Sequence, residues 1–258
     1  MTSDVTVQRD GAALTISLNR PERLNAVTAA VLNDLADLIE EAAADAEVRV
    51  IVLTGAGRAF SAGADLKSRQ AGEGPPGTDT IVAGNRVIRA LRDARQPTIA
   101  AVNGPAVGIG CSLALACDLV LSSADAYFLL SFTSIGLMPD GGATALVPTS
   151  IGRARAMAMA LVPERIPAAE ALAWGLIYKV VDAGELDASV KALTDRLSTG
   201  APLALAATKR AINASTLTAL EEALGRELEN QGRLLQTSDV AEAVVAFVEK
   251  RPPKFTGS

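Results

Sequence analysis

Apolar and polar positions alternate from Val5 to Gln8 and again from Ala13 to Leu18, on either side of Asp10-Gly11. A period of two around such a dipeptide predicts a short β-hairpin. After the polar stretch LNRPERLNAV (Leu18–Val27) the period changes. Val31, Leu32, Leu35, Leu38, Ile39 and Ala42 recur at helical spacing behind Thr28, a candidate N-cap. Val48–Thr54 (VRVIVLT) is a β-branched run suited to a buried strand, and it leads into GAGRAFSAGADLK (Gly55–Lys67). Gln70–Thr80, rich in Gly and Pro, predicts a surface loop, and Val82–Leu91 a helix. Thr98–Asn103 predicts the next buried strand. It runs through a turn holding Gly104, Gly108 and Gly110 into an apolar helix.

The second half continues in the same manner. Asp118–Ser122 and Ala126–Ser131 predict short strands, and Phe132–Pro148 a third glycine-bearing turn that feeds a helix. Helices are expected at Ile151–Leu161, Ala168–Trp174 and Leu186–Leu197, with a strand at Ile177–Val181. From Ala201 the periodicity is wholly helical: Ala204–Ile212, Leu217–Leu235 and Val240–Val248, the last opened by Ser238 or Asp239. Strand, glycine turn and helix recur roughly every 45 residues, which predicts an α/β fold of stacked units. Residues 1–200 form the expected core. Residues 201–258 form a helical tail too short to hold a core of its own, and so a docking or oligomerising element.

Composition narrows the chemistry. The chain of 258 residues is 49% hydrophobic and 21% charged, which gives it a sizeable core. A net charge of −5 without clustered Lys and Arg argues against nucleic acid as a partner. Cys111 and Cys117 sit in the most apolar stretch and imply no disulfide framework. Histidine is absent, which removes Ser-His-Asp and Cys-His nucleophile systems and His-ligated zinc. Acid–base work therefore falls to a carboxylate, Lys, Tyr or Cys. Thr98–Cys117 carries no charge over 20 positions, but Asn103-Gly104-Pro105 interrupts it, so no membrane span is expected. With no secretory signal visible at the N-terminus, the expected location is the cytoplasm.

Three turns at strand ends are candidate sites: Ala62–Lys67, Gly108–Cys111 and Pro139–Gly142. Ligands of open α/β arrangements gather at such ends. The first two offer backbone N–H groups, and the second opens a helix, whose N-terminus favours negative charge. The third offers Asp140 beside two glycines. Gly55-Ala56-Gly57 and Gly108-Ile109-Gly110 each give half of a dinucleotide fingerprint and lack its third glycine, and GxxxxGK[ST] is absent. Taken alone, Asp140 reads equally as the cap of the helix that follows.

LNRPERLNAV, GRAFSAGADLK, AAVNGPAVGIGCSLALACDLVLSS, IGLMPDGG and AFVEKRPPKF, in this order, closely resemble the enoyl-CoA hydratase/isomerase (crotonase) superfamily. The resemblance covers nearly the whole chain. It implies a spiral of ββα units with a C-terminal helical region that builds trimers or dimers of trimers. It also implies an acyl-CoA thioester substrate, with coenzyme A carried on that substrate and no separate cofactor or metal. The family's shared chemistry is stabilisation of a thioester enolate by two backbone N–H groups, which by motif are those of Ala64 and Ile109. Ala62, Asp65 and Leu66, with Ala64 and Lys67 beside them, match the loop that binds the adenine end of CoA. Arg23 and Leu24 match the pantetheine-side loop. Phe247 and Lys250 match a C-terminal motif that contacts CoA, in part across a subunit boundary. Ile109 stands where many members have glycine; its N–H still serves if the residue keeps negative φ.

The acid–base positions depart from the hydratase pattern. Hydratases of the family use two glutamates, and the matching positions here are Ser112 and Phe132. Neither is a base at neutral pH, and Phe132 closes that wall to water. What remains is Asp140 in IGLMPDGG, a segment similar to that of family isomerases in which one carboxylate shuttles a proton. The resemblance therefore implies an isomerase that shifts a double bond or opens a ring epoxide. A hydratase with different acid–base groups and a non-catalytic acyl-CoA-binding protein are the alternatives. Acyl selectivity is expected from Gln70–Thr80 and from Phe132, Leu137 and Met138.

Overall fold

A computed structural model describes residues 3–65 and 77–258, with Phe247 described by its backbone alone. The predicted hairpin is present as β1 (Val5–Asp10) and β2 (Ala13–Leu18). It is followed by a one-turn 3-10 helix, Pro21–Arg23, and by α1 (Ala29–Ala44). Thr28 caps α1, its side chain accepting the Val31 N–H. The run β3 (Val50–Gly55), α2 (Asp79–Asp93), β4 (Thr98–Val102), β5 (Ala106–Val107) and α3 (Ile109–Leu115) carries the first two glycine turns. Then come β6 (Leu119–Ser123), β7 (Tyr127–Leu129), a 3-10 turn Phe132–Ile135 and α4 (Ala143–Leu161). The remainder is β8 (Ile166–Pro167), α5 (Ala168–Trp174), β9 (Lys179–Val181), α6 (Leu186–Ser198), α7 (Pro202–Thr216), α8 (Leu220–Leu234) and α9 (Ser238–Glu249).

Six strands form one sheet in the order β1-β2-β3-β4-β6-β9, antiparallel at the hairpin and parallel beyond it. A smaller sheet, β5-β7-β8, stands beside it. Alternate side chains of the central strands serve two cores, as the strand period demands. Ile51, Leu53, Ala100 and Val102 face α1, α2 and the main core, with Phe60 and Phe128 fully buried there. Val50, Val52, Ile99 and Ala101 face the other way, where Leu186, Val190, Leu193 and Leu197 of α6 cover them. This is why Val50–Leu53 reads as continuously apolar, between Arg49 and Thr54.

Three expectations are corrected in detail. Asp79 and Thr80, assigned above to the surface loop, form the first turn of α2; residues 66–76 lie outside the described residues. The helix expected from Ile151 begins at Ala143 and runs across a kink at Gly152 (φ 74°), near Pro148, which lacks a helical N–H. Neither Ser238 nor Asp239 caps α9. Thr237 does, its hydroxyl accepting the Val240 N–H, because the side chains of Ser238 and Asp239 are occupied by the tail at Thr256–Ser258.

Candidate active site

The first piece of the site is the turn after β3. Its neighbour Asn25 is buried with φ 56°, and its side-chain amide donates to the carbonyls of Ala56 (2.9 Å) and Ala59 (2.7 Å). Its Oδ1 accepts the Arg20 N–H, so Asn25 binds the Arg23–Leu24 loop to this turn. Leu24 also has positive φ (52°), and its carbonyl accepts the Ala62 N–H at 2.9 Å. Two segments assigned to opposite ends of the CoA moiety thus meet directly. Arg23 is exposed on the 3-10 turn.

Ala64 is oriented by Val27. The Val27 N–H donates to Gly63 O (2.8 Å) and the Asp65 N–H to Val27 O (2.9 Å). In such a parallel bridge, the residue between the two bonded neighbours turns its own N–H and C=O away. The Ala64 N–H accordingly donates to no group among the described residues, and Ala64 is exposed. Asp65 turns its side chain inward, 4% exposed, to pair with Arg20 at 3.0 Å; Arg20 in turn donates to Ala26 O. Leu66 and Lys67 lie outside the described residues.

The second piece is the β5–α3 turn, laid against the first. Ser61 N–H donates to Pro105 O (3.0 Å) and Val107 N–H to Ser61 O (2.9 Å). The approach is backbone to backbone. A Cβ on Gly63 would stand 2.8 Å from Val107 O, and one on Gly110 would stand 2.6 Å from Ser61 Cβ. Gly108, with φ 55°, sets the chain into α3. The N–H groups of Cys111 and Ser112 fold back onto Gly108 O, whereas that of Ile109 donates to no described group. Ile109 is not among the positive-φ residues, so its N–H keeps the helical direction. Its side chain fits between Gly84 of α2 and Gly141, where added Cβ atoms would come within 3.2 and 2.5 Å of its Cδ1. The buried Phe132 closes the same turn, its ring 3.8 Å from a Cβ built on Gly108.

The third piece carries Asp140, whose side chain is buried. Ser112, one turn along α3 from Ile109, donates its hydroxyl to Asp140 O at 2.7 Å and so ties this turn to the second. Asp140 does not cap α4. The Gly142 N–H (2.7 Å) and the Thr144 N–H (2.9 Å) are both taken by Glu227 of α8, which also accepts the Thr144 hydroxyl. Asp140 Oδ2 accepts from Gln231 of α8 at 3.1 Å, and Oδ1 is buried without a described partner. Burial, and secondly the charge of Glu227, push the Asp140 carboxyl up to about 7, against the lowering effect of the Gln231 bond. Burial likewise raises Glu227, opposed by its bonds to Thr144 and Gly142.

Three turns far apart in sequence therefore meet: two bring an unused backbone N–H, and one brings a buried carboxyl poised to titrate near neutrality. Over residues 8–258 the chain matches the sequence profile of enoyl-CoA hydratase/isomerase. The chain belongs to this family. A 1,2-epoxyphenylacetyl-CoA isomerase of Escherichia coli is 38% identical over 95% of both chains. A probable enoyl-CoA hydratase of Rhodobacter capsulatus is 43% identical over 94% of this chain and 93% of its own. The crystal structure of an enoyl-CoA hydratase from Mycobacterium avium subsp. paratuberculosis superposes with a TM-score of 0.92 at 47% identity, covering 99% of this chain and 100% of that one. The fold is thus the crotonase fold, with helices closing its C-terminal end.

Within this enoyl-CoA hydratase/isomerase chain, Lys250 lies exposed just past α9 with φ 54°, and no described hydrogen bond or ion pair joins it to the three turns. Phe247 belongs to α9, whose first turn packs at Gly136. Reading the sequence missed Glu227, Gln231, Asn25 and Arg20. A signal for the first two was present. Leu220, Leu224, Glu227 and Gln231 follow helical spacing, so the buried stripe of α8 continues into polar residues.

Proposed function

We propose that this protein is an acyl-CoA isomerase in which Asp140 shuttles a proton while the N–H groups of Ala64 and Ile109 hold the thioester oxygen as an enolate. The observation that carries this reading is the state of Asp140: buried, not used as a cap, with one oxygen that has no partner among the described residues and its carboxyl pushed up to about 7. In the proposed reaction the carboxylate takes a proton from a carbon activated by the thioester. The C–H electron pair enters the enolate, whose negative oxygen is held by the two donors. Collapse of the enolate then moves the double bond as the same carboxyl returns the proton to a second carbon. Each such donor is typically worth about 3–4 kcal/mol, and the positioned base ~10²–10⁴-fold. An epoxide ring conjugated to the acyl group would open through the same enolate. The name of the Escherichia coli relative supports that version.

Water addition, the activity in the names of several relatives, is the competing reading. It is disfavoured by Ser112, whose hydroxyl is committed to Asp140 O, and by Phe132 against the Gly108 turn. The deciding experiment offers cis-3-enoyl-, trans-2-enoyl- and ring-epoxide CoA esters in D₂O, with mass spectrometry of the products. Isomers carrying deuterium are expected, and Asp140→Asn should abolish the exchange while leaving CoA-ester binding intact. A 3-hydroxyacyl-CoA as the main product, or exchange retained in Asp140→Asn, would refute the reading. Binding without exchange in the unaltered protein would make it a carrier.

Assembly as a homotrimer or a dimer of trimers belongs to the same proposal. It is supported by apolar side chains left exposed on the helices, among them Leu203 (84%) and Val248 (74%). Sedimentation should give three or six times 26.5 kDa; a monomer would exclude it.

A further inference from the structure

Gln231 is almost fully buried on α8, and its amide nitrogen reaches two acceptors at once, Met138 O at 2.7 Å and Asp140 Oδ2 at 3.1 Å. Met138 O can only accept, so the nitrogen must face it, and the orientation of the amide is settled by chemistry. The residue between these two acceptors is Pro139, which brings no N–H of its own to the turn. Gln231 is therefore the group that fixes both the backbone before Asp140 and the rotation of its carboxyl. Asp140 Oδ1 is left buried with no described partner.

We propose that Gln231 is a positioning residue of the isomerase: by clamping Asp140 Oδ2 to the Met138 carbonyl, it makes Oδ1 the one oxygen that takes and returns the proton. The inference rests on the reading of Asp140 as the base. A substrate C–H bond breaks, its electron pair enters the enolate, and the proton goes to Oδ1. Oδ2 already accepts a hydrogen bond, so the neutral acid carries its proton on Oδ1, the oxygen without a described partner. That O–H bond then breaks as the new C–H bond forms, and the carboxylate returns to its starting state with no turn of the side chain. Held in this way, one oxygen serves two carbons on the same face.

Among the groups packed against Asp140, Glu227 is the one whose charge acts on it. α3 presents Ser112, whose hydroxyl donates to the Asp140 carbonyl and does not titrate. Thr144 of α4 donates to Glu227 and does not titrate. Loss of the Gln231 bond must therefore appear as a rise in the Asp140 midpoint, because that bond favours the carboxylate.

The test labels aspartate carboxyl carbons with ¹³C and follows the Asp140 resonance against pH in the full-length protein, assigned by its loss in Asp140→Asn. Gln231→Met should raise the midpoint by about half a pH unit or more. It should also lower the exchange kcat roughly 10-fold with little change in KM. Gln231→Asn keeps an amide one methylene too short and should shift the midpoint the same way, which guards against a misfolded Met variant. A midpoint unmoved in both variants, with kcat falling only as thermal stability falls, would overturn the positioning role. The Asp140→Asn exchange assay is read separately. Exchange retained there refutes the base, whereas the carboxyl titration still reports whether Gln231 holds Asp140.

Discussion

At the scale of the residue, the decisive fact is that one carboxylate is spared from capping by another. Asp140 stands just where a cap would, and from the sequence the two roles were indistinguishable; Glu227, 87 positions later, takes the N–H groups and frees it. Its midpoint near 7 has two consequences. A base must be ionised, so deuterium exchange should rise with pH through about 7 and level off above it, and a rate falling across that range would contradict the assignment. The stability effect has the opposite sign. Because the folded midpoint lies above the unfolded one, the stabilisation linked to this proton is complete below the ordinary carboxylate range and is lost as pH rises through about 7. Asp140→Asn should therefore melt higher than the parent at pH 8, by on the order of a few kcal/mol, with the gap narrowing toward pH 5. Equal gaps at both pH values, read by thermal denaturation, would count against a buried ionising group.

At the scale of the element, the glycines mark where backbone had to meet backbone. Gly110 and Gly152 make the contrast measurable. A Cβ at Gly110 would strike Ser61 Cβ and Ser61 O at 2.6 and 2.8 Å, forcing α3 off the first turn and separating the proposed donors, Ala64 and Ile109. Gly110→Ala is expected to lower exchange by at least about 10²-fold, the cost of one lost donor. Gly152 sits in open space but at φ 74° and ψ 165°, a backbone region kept almost wholly to glycine, so Gly152→Ala should cost about 1–3 kcal/mol of stability and leave kinetics unchanged. Urea unfolding beside steady-state exchange separates the two, and equal kinetic effects would mean that the α3–Ser61 contact is not what holds the site. The elements themselves were legible in the sequence because period two, period 3.6 and a Thr cap are local signals. Three boundaries were not: the starts of α2 and α4 follow stretches rich in Gly and Pro, and the cap of α9 passes to Thr237 because the returning tail occupies its neighbours.

At the scale of the whole molecule, the C-terminal helices are part of the core and of the site. Leu220 and Leu224 of α8 join the main core, and Lys209 of α7, 8% exposed, binds Leu91 O, Gln96 O and Asp118. Lys209→Met should leave Leu91 O and Gln96 O without this donor and Asp118 with its Thr98 bonds but no cation, and lower stability by roughly 3 kcal/mol, with KM for an acyl-CoA unchanged. A loss below about 0.5 kcal/mol in urea unfolding would mean that water replaces the lysine without cost. Contiguous residues alone sufficed for the family and for the order of strand, glycine turn and helix, and they singled out Ala64, Ile109 and Asp140 as candidates, because each of these signals is local. That Asp140 is left free of capping was legible only in the assembled chain. Its surroundings are Ser112 from α3, Glu227 and Gln231 from α8, and a desolvated volume that no local pattern encodes. Burial and the charge of a distant residue, both properties of the assembled chain, turn a common capping residue into a carboxyl that titrates near neutrality.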